Sequence, residues 1–294
     1  MSNHDCHTET LTLRGLRHHV RRWGAVDGTP LLLLHGWLDA AATFSELVQT
    51  LLGHLPQYTV WAPDLRGFGD TEWPQEGYWF PEYLADVDAL IAHYGFDHRL
   101  CLIGHSMGAQ IASLYAGLRP KRIHKLVLLD APTLPELPVS RAASRYRAWL
   151  DDQRQPADPR TFPSFEALIS RVAQQHRRLD LPRARAVAQA WGRENPDGSA
   201  VLRADPRHWQ RGPTLYRSAE AEAVWRDIEA ETLFLDAADS HFIETVDADE
   251  KARRRTCFRK RQERVINDAG HMLHFDAPSE TAAVIADFLS NAAP

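Results

Sequence analysis

The chain has 294 residues, 44% of them hydrophobic and 25% charged, an ordinary globular composition long enough for a sizeable core. Its formal charge of −5 provides no global basic field, so nucleic acid is not an expected partner. Cys6, Cys101 and Cys257 are scattered and share no CxxC spacing, which argues against a disulfide framework or a zinc site. The polar opening "MSNHDCHTETLTLRG" lacks a signal core, no apolar run approaches the ~20 residues of a membrane span, and the expected location is cytoplasmic.

Taken in chain order, "TLTLRG" and "LRHHVRRWG" predict two strands joined near Gly15. Apolar runs follow at "LLLLHGW" (31–37), "YTVWAPD" (58–64), "LCLIGHS" (100–106) and "KLVLLDAP" (125–132). Several are apolar on both faces, as strands of a covered parallel sheet must be. Leu84, Val87, Leu90 and Ile91 recur with helical period between two of these runs. Strands alternating with helices predict an α/β doubly wound sheet. From about 133 to 231 the rhythm stops: prolines, arginines and tryptophans accumulate, no strand-like run is evident, and a mostly helical insertion is expected. Strands resume with "TLFLDAADS" (232–240) and "RVINDAGH" (264–271). The expected organisation is a core at 1–132, a helical cap at 133–231 and the rest of the core at 232–294. "RGFGD" (66–70) is read as a structural turn, and the basic run "KARRRTCFRKR" (251–261) as a solvated helix face.

The most informative stretch is Gly104-His105-Ser106-Met107-Gly108, where an apolar strand runs straight into a helical pattern. A serine on so tight a turn takes a strained backbone and projects its hydroxyl, and the flanking glycines remove side chains that would collide. This is a nucleophile elbow at the carboxyl end of a strand. An alcohol nucleophile needs a base. His271, after Gly270 and beyond the last strand, is the candidate, with His274 the competitor and more suited to packing the next helix. The backbone N–H groups of Met107 and, from "HGWLD", Trp37 are candidate oxyanion donors. His35 in the same loop is read as structural.

Together, "LLLLHGWLD", "PDLRGFGDT", "LIGHSMG", "KLVLLDAP" and "GHMLHFDAP" resemble the α/β-hydrolase superfamily, and "HGWLDAAATF" with "LVLLDAPTLPE" resembles its serine hydrolase-like branch. The resemblance implies an eight-stranded, mostly parallel sheet with a helical cap inserted after strand six. The residues read as a metal-free, cofactor-free serine hydrolase acting on a carboxylic ester or related small-molecule acyl compound, and the Trp-rich cap is expected to select an apolar or aromatic one. Many members carry the orienting acid in a G-x-x-D turn after strand seven. Here that turn reads "DAADS", with Asp239 one residue early and Ser240 at the usual acid position. Asp130, ending "KLVLLD", matches the strand-six acid of related esterase branches and is preferred to Asp239. Epoxide hydrolase and dehalogenase chemistry is disfavoured, because the nucleophile of those families is an aspartate. Carbon–carbon bond hydrolase, thioesterase, perhydrolase and cofactor-free dioxygenase activities remain alternatives, as does a non-catalytic small-ligand receptor.

Overall fold

A computed structural model describes residues 5–96, 100–131, 134–241 and 246–291. The first strands, β1 (His7–Leu13) and β2 (Leu16–Gly24), pair antiparallel across a turn at Arg14-Gly15. Then come β3 (Thr29–Leu34), α1 (Ser45–His54), β4 (Tyr58–Pro63), α2 (Pro81–Tyr94), β5 (Leu100–His105), α3 (Met107–Leu118) and β6 (Ile123–Leu129). After an insertion the sheet resumes with β10 (Glu231–Ala237), α8 (Ala248–Arg255), β11 (Arg261–Ile266), α9 (Leu273–Asp276) and α10 (Pro278–Ser290). The eight strands lie in the order β1-β2-β4-β3-β5-β6-β10-β11; β2 pairs antiparallel with β4, and the pairs from β4 to β11 are parallel.

The two-sided leucine run explains why β3 sits mid-sheet. Strand side chains alternate between faces. Leu31 and Leu33 enter the layer packed by Leu47 and Leu51 of α1 and Ile285 and Leu289 of α10. Leu32 and Leu34 enter the opposite layer, with Val87 and Leu90 of α2 and Ile111 and Tyr115 of α3. In β6, Val127 and Leu129 pack on the first face, Leu126 and Leu128 on the second. The edge strand β11 is largely exposed: of "RQERVI" only Ile266 is buried. Charged residues there discourage pairing with another chain.

The insertion between β6 and β10 holds α4 (Ala142–Asp152), α5 (Phe165–Gln175), α6 (Leu181–Trp191) and α7 (Ser218–Trp225). It also holds a three-stranded antiparallel sheet that the sequence reading missed, β7 (Thr161–Phe162), β8 (Gly192–Glu194) and β9 (Ala200–Leu202), in the order β7-β9-β8. Strands of two or three residues are too short to show a period. The signal was the turn "NPDG": Gly198 takes a φ of 83°, and Asn195 N–H bonds the Ser199 carbonyl at 2.8 Å. The expected first boundary, at 132/133, lies outside the described residues.

The basic run also differs from expectation. Arg254 and Arg255 are buried rather than solvated. The Arg255 guanidinium donates to Asp236 at 2.7 and 2.9 Å and to Glu263 at 2.7 Å, tying α8 to β10 and β11. Arg254 donates to Glu250 at 2.8 Å and to the Leu134 carbonyl at 2.7 Å. Charge patterning on a helix does not reveal carboxylates waiting on neighbouring strands.

Candidate active site

At the junction of β5 and α3, Ser106 takes φ 52° and ψ −114°, outside the regions comfortable for an L-residue. The glycines make this turn possible. A Cβ at Gly104 would lie 2.3 Å from the Gly108 carbonyl oxygen, and one at Gly108 would lie 2.1 Å from that of Leu34. Both obstacles are backbone and cannot swing away. Ser106 N–H donates to the Leu129 carbonyl at 3.0 Å, and the Ser106 carbonyl accepts from Ala109 and Gln110, so the strained residue is held from both sides.

His271 sits on the loop between β11 and α9. Its Nε2 lies 2.9 Å from Ser106 Oγ and its Nδ1 lies 2.6 Å from Asp130 Oδ2. A carboxylate only accepts, so Nδ1 carries the proton and Nε2 is free to accept from the serine hydroxyl. Asp130, fully buried just beyond β6, also takes a positive φ of 52°. Its carboxylate accepts from Ala237 N–H at 3.3 Å and from the hydroxyl of Ser240. Ser240, at the position where the sequence resemblance looks for an acid, therefore helps orient Asp130. Sequence reasoning noted the residue without seeing this contact. Asp239 lies elsewhere: its exposed carboxylate pairs with Arg178 of the insertion, and its N–H donates to the Ala269 carbonyl.

The histidine loop has a further support. His105 Nε2 lies 2.8 Å from the His271 carbonyl oxygen, an acceptor, so His105 is the donor. Burial, then the neighbouring His274 and His271, push its pKa well below the ordinary imidazole value, so it is held neutral. His35 is a framework residue as expected: its Nε2 accepts from Leu65 N–H at 2.8 Å. His274 is wholly buried in α9, 3.3 Å from Asp39 Oδ2.

Asp39 is a second residue that the sequence reading passed over. Its Oδ1 accepts from Thr43 at 2.9 Å and from Trp191 Nε1 at 2.7 Å, which fastens α6 of the insertion to the loop bearing Trp37. Burial by itself raises a carboxyl pKa, but the adjacent His274 outweighs it and leaves Asp39 well below the usual range. Ligand atoms of Asp39, His105 and His274 lie within 4.8 Å of one another, as do those of His19, Asp64 and Asp70. Around Asp64, Ala41 N–H, Asp70 N–H and His19 converge at 2.7–3.0 Å, whereas Asp39 Oδ2, His105 Nδ1 and His274 Nδ1 have no hydrogen-bond partner among the described residues. We assign no metal to them.

Ser106 and His271 open onto a cavity of about 910 Å³ lined by Trp37, Met107, Leu134, Phe162, Leu168, Trp191 and Trp209, among others. Neither Trp37 nor Met107 N–H has a backbone acceptor among the described residues. Leu38 beside Trp37 takes a φ of 59°, and Gly36 is forced to be small because a Cβ there would lie 2.9 Å from His105 Nδ1 and 3.2 Å from Ser106 Cβ.

A family model described as the alpha/beta hydrolase fold matches residues 29–278. The chain belongs to the alpha/beta hydrolase family. It is 27% identical over 282 residues to a serine hydrolase-like protein of Danio rerio, covering 92% of this chain and 85% of that one. Over 130 residues it is 35% identical to the soluble epoxide hydrolase of Corynebacterium sp. (strain C12), 44% of this chain and 43% of the relative. In three dimensions it resembles the thioesterase domain from the curacin biosynthetic pathway, with a TM-score of 0.84 at 23% identity, covering 96% of this chain and 99% of that one. The hydrolase fold implies a small-molecule substrate. Among the described residues no helix is long and apolar enough to cross a membrane.

Buried imidazoles held neutral in the folded protein should make the fold sensitive to acid. His208 of the insertion stacks on Phe68 at 3.9 Å with an interplanar angle of 5°, and burial pushes its pKa down to about 3. Once unfolded, His208 and His105 bind protons below about pH 6.5, whereas folded they do not, so stability declines as pH falls from there. The depressed carboxyls of Asp39 and Asp64 add a second loss below about pH 4. His208→Phe keeps the stack without the titration. Its melting temperature should fall less between pH 7 and 4.5 than that of the parent in thermal melts; an unchanged slope would remove His208 from this account.

Proposed function

We propose that the protein is a serine acyl hydrolase cleaving a carboxylic ester or related acyl compound through an acyl-enzyme. The observation that carries this reading is the unbroken hydrogen-bond chain from Ser106 and His271, which line the cavity, to the buried Asp130. In this reading Ser106 Oγ attacks the acyl carbonyl while His271 Nε2 takes its proton, and Asp130 stabilises the imidazolium that forms. Trp37 and Met107 N–H groups hold the oxyanion. His271 returns the proton to the leaving group, then activates the water that frees the acyl chain. A serine nucleophile forms an ester intermediate with an acyl group, which sets this site apart from the epoxide chemistry named for one relative.

Residues 133–231 act in this reading as a cap that shapes substrate choice. The catalytic groups and oxyanion donors lie outside it, whereas Trp191, Trp209, Phe162 and Leu168 close the cavity from it. Apolar lining suits an apolar or aromatic acyl group. A fluorophosphonate probe and a panel of p-nitrophenyl esters of rising chain length test the proposal: covalent labelling of Ser106 and turnover of part of the panel are expected. A folded protein that neither labels nor hydrolyses any of them is a receptor instead. Trp191→Phe removes the bond to Asp39 yet keeps a large ring. It should shift chain-length preference by about tenfold, the scale of one or two methylenes in an apolar pocket, while probe labelling persists. Lost labelling in a folded Trp191→Phe protein would give the cap a direct part in the chemistry.

A further inference from the structure

The charge balance inside the cavity is lopsided. Arg160, Arg171 and Arg203 line it, against one acidic lining residue, Asp39, which already accepts from Thr43 and Trp191 and faces His274. Arg203 is ion-paired with Asp70 and donates to the Gly192 carbonyl at 3.0 Å. Arg160 and Arg171 have no carboxylate partner among the described residues. The chain as a whole is negative, at −5, so this local excess is not a reflection of overall charge.

Local structure aims both arginines at the cavity. On α5, Leu168, Arg171, Val172 and Gln175 recur at three- and four-residue spacing and all line it, so Arg171 belongs to the cavity face of that helix. Arg160 stands just before β7, its guanidinium 4.7 Å from the centre of the Trp209 ring, and Trp209 in turn meets Trp37 edge-on at 5.9 Å. The aromatic contact fixes Arg160 without spending its N–H donors. Both residues are exposed and come from the insertion, whereas Ser106 stands at the β5–α3 junction, and much of the remaining lining is apolar. A positive, partly enclosed cleft concentrates anions, and a guanidinium fork matches a carboxylate or a phosphate.

Resting on the acyl hydrolase reading, we propose that the natural substrate carries an anionic group, carboxylate or phosphate, separated from the scissile carbonyl by an apolar stretch, and that Arg160 and Arg171 select it. The anion sits either at the far end of the acyl chain or on the leaving group.

The test compares matched pairs. The p-nitrophenyl monoester of adipic acid against p-nitrophenyl hexanoate places a carboxylate on the acyl end. S-butyryl pantetheine 4′-phosphate against S-butyryl pantetheine places a phosphate on the leaving group. The ratio of kcat/KM, charged over neutral, should exceed one for at least one pair and fall with added salt. It should drop about tenfold in Arg160→Gln or Arg171→Gln and about 100-fold in the double variant, with Lys at either position restoring part of it. Preference in the first pair assigns the anion to the acyl group, in the second to the leaving group. Ratios near one for both pairs, or ratios that the Gln variants leave unmoved, overturn the anion proposal while ester turnover leaves the hydrolase reading standing. Calorimetry with adipate and hexanoate separates the opposite case. If no ester is cleaved but adipate binds more tightly than hexanoate and loses that advantage in the double Gln variant, the anion site stands and the hydrolase reading falls. No turnover and no adipate preference overturns both.

Discussion

Ser106→Ala is expected to lower kcat by about 10⁶-fold and to abolish fluorophosphonate labelling, with the melting temperature nearly unchanged. The effect is large because the proposed acyl-enzyme forms on this oxygen, and water has no other activated route to the carbonyl. The fold should be indifferent. Alanine retains the Cβ, and the bonds that hold the strained turn, from Ser106 N–H to Leu129 and from Ala109 and Gln110 to its carbonyl, are backbone bonds. The side chain contributes its hydrogen bond to His271. Steady-state kinetics on the best ester of the panel, paired with a thermal melt, make the check. Near-native turnover by the folded alanine variant would remove Ser106 from the nucleophile's role.

Asp130→Asn should cost about 10⁴-fold in kcat. The carboxylate lies 2.6 Å from His271 Nδ1 and holds the ring with its proton on that nitrogen. An amide of the same shape can turn its NH₂ toward the ring and favour the other tautomer, which puts the proton on Nε2, where the serine needs an acceptor. It also removes the negative charge that stabilises the imidazolium. Asp239→Asn breaks only the exposed pair with Arg178, a class of contact worth about 0–1 kcal/mol, and should leave most of kcat. The two variants, measured with the same ester and the same melt, discriminate sharply. The reverse ranking would move the orienting acid to the turn after β10 and leave Asp130 as a buried anchor for Ala237 and Ser240.

Much of this molecule was legible in one dimension because the relevant physics is local. A strand covered on both faces must be apolar at successive positions, so "LLLL" and "LVLL" announced central strands. A turn at which any Cβ would strike backbone demands glycine, so Gly104 and Gly108 marked the elbow around Ser106. His271 stood out as a candidate from its place after the last strand, and Asp130, at the end of β6, as one of two candidate acids. Only the fold brings these together, across 165 and 141 residues of chain, and sets their distances. The rest depended on partners supplied by distant segments. Whether Asp130 or Asp239 faces the imidazole turns on where a loop points, and no periodicity encodes that. Ser240 became Asp130's donor, Asp39 became Trp191's acceptor, and the basic run of α8 became buried because Asp236 and Glu263 stand on adjacent strands. The strands β7, β8 and β9 exist through pairing with one another, each too short to declare itself. The sequence by itself determined the sheet, its order of strands and helices, and the elbow. The tertiary structure decided which polar groups meet, because a buried polar side chain needs a specific partner in space, and that partner is a property of the packed chain rather than of its neighbours in sequence.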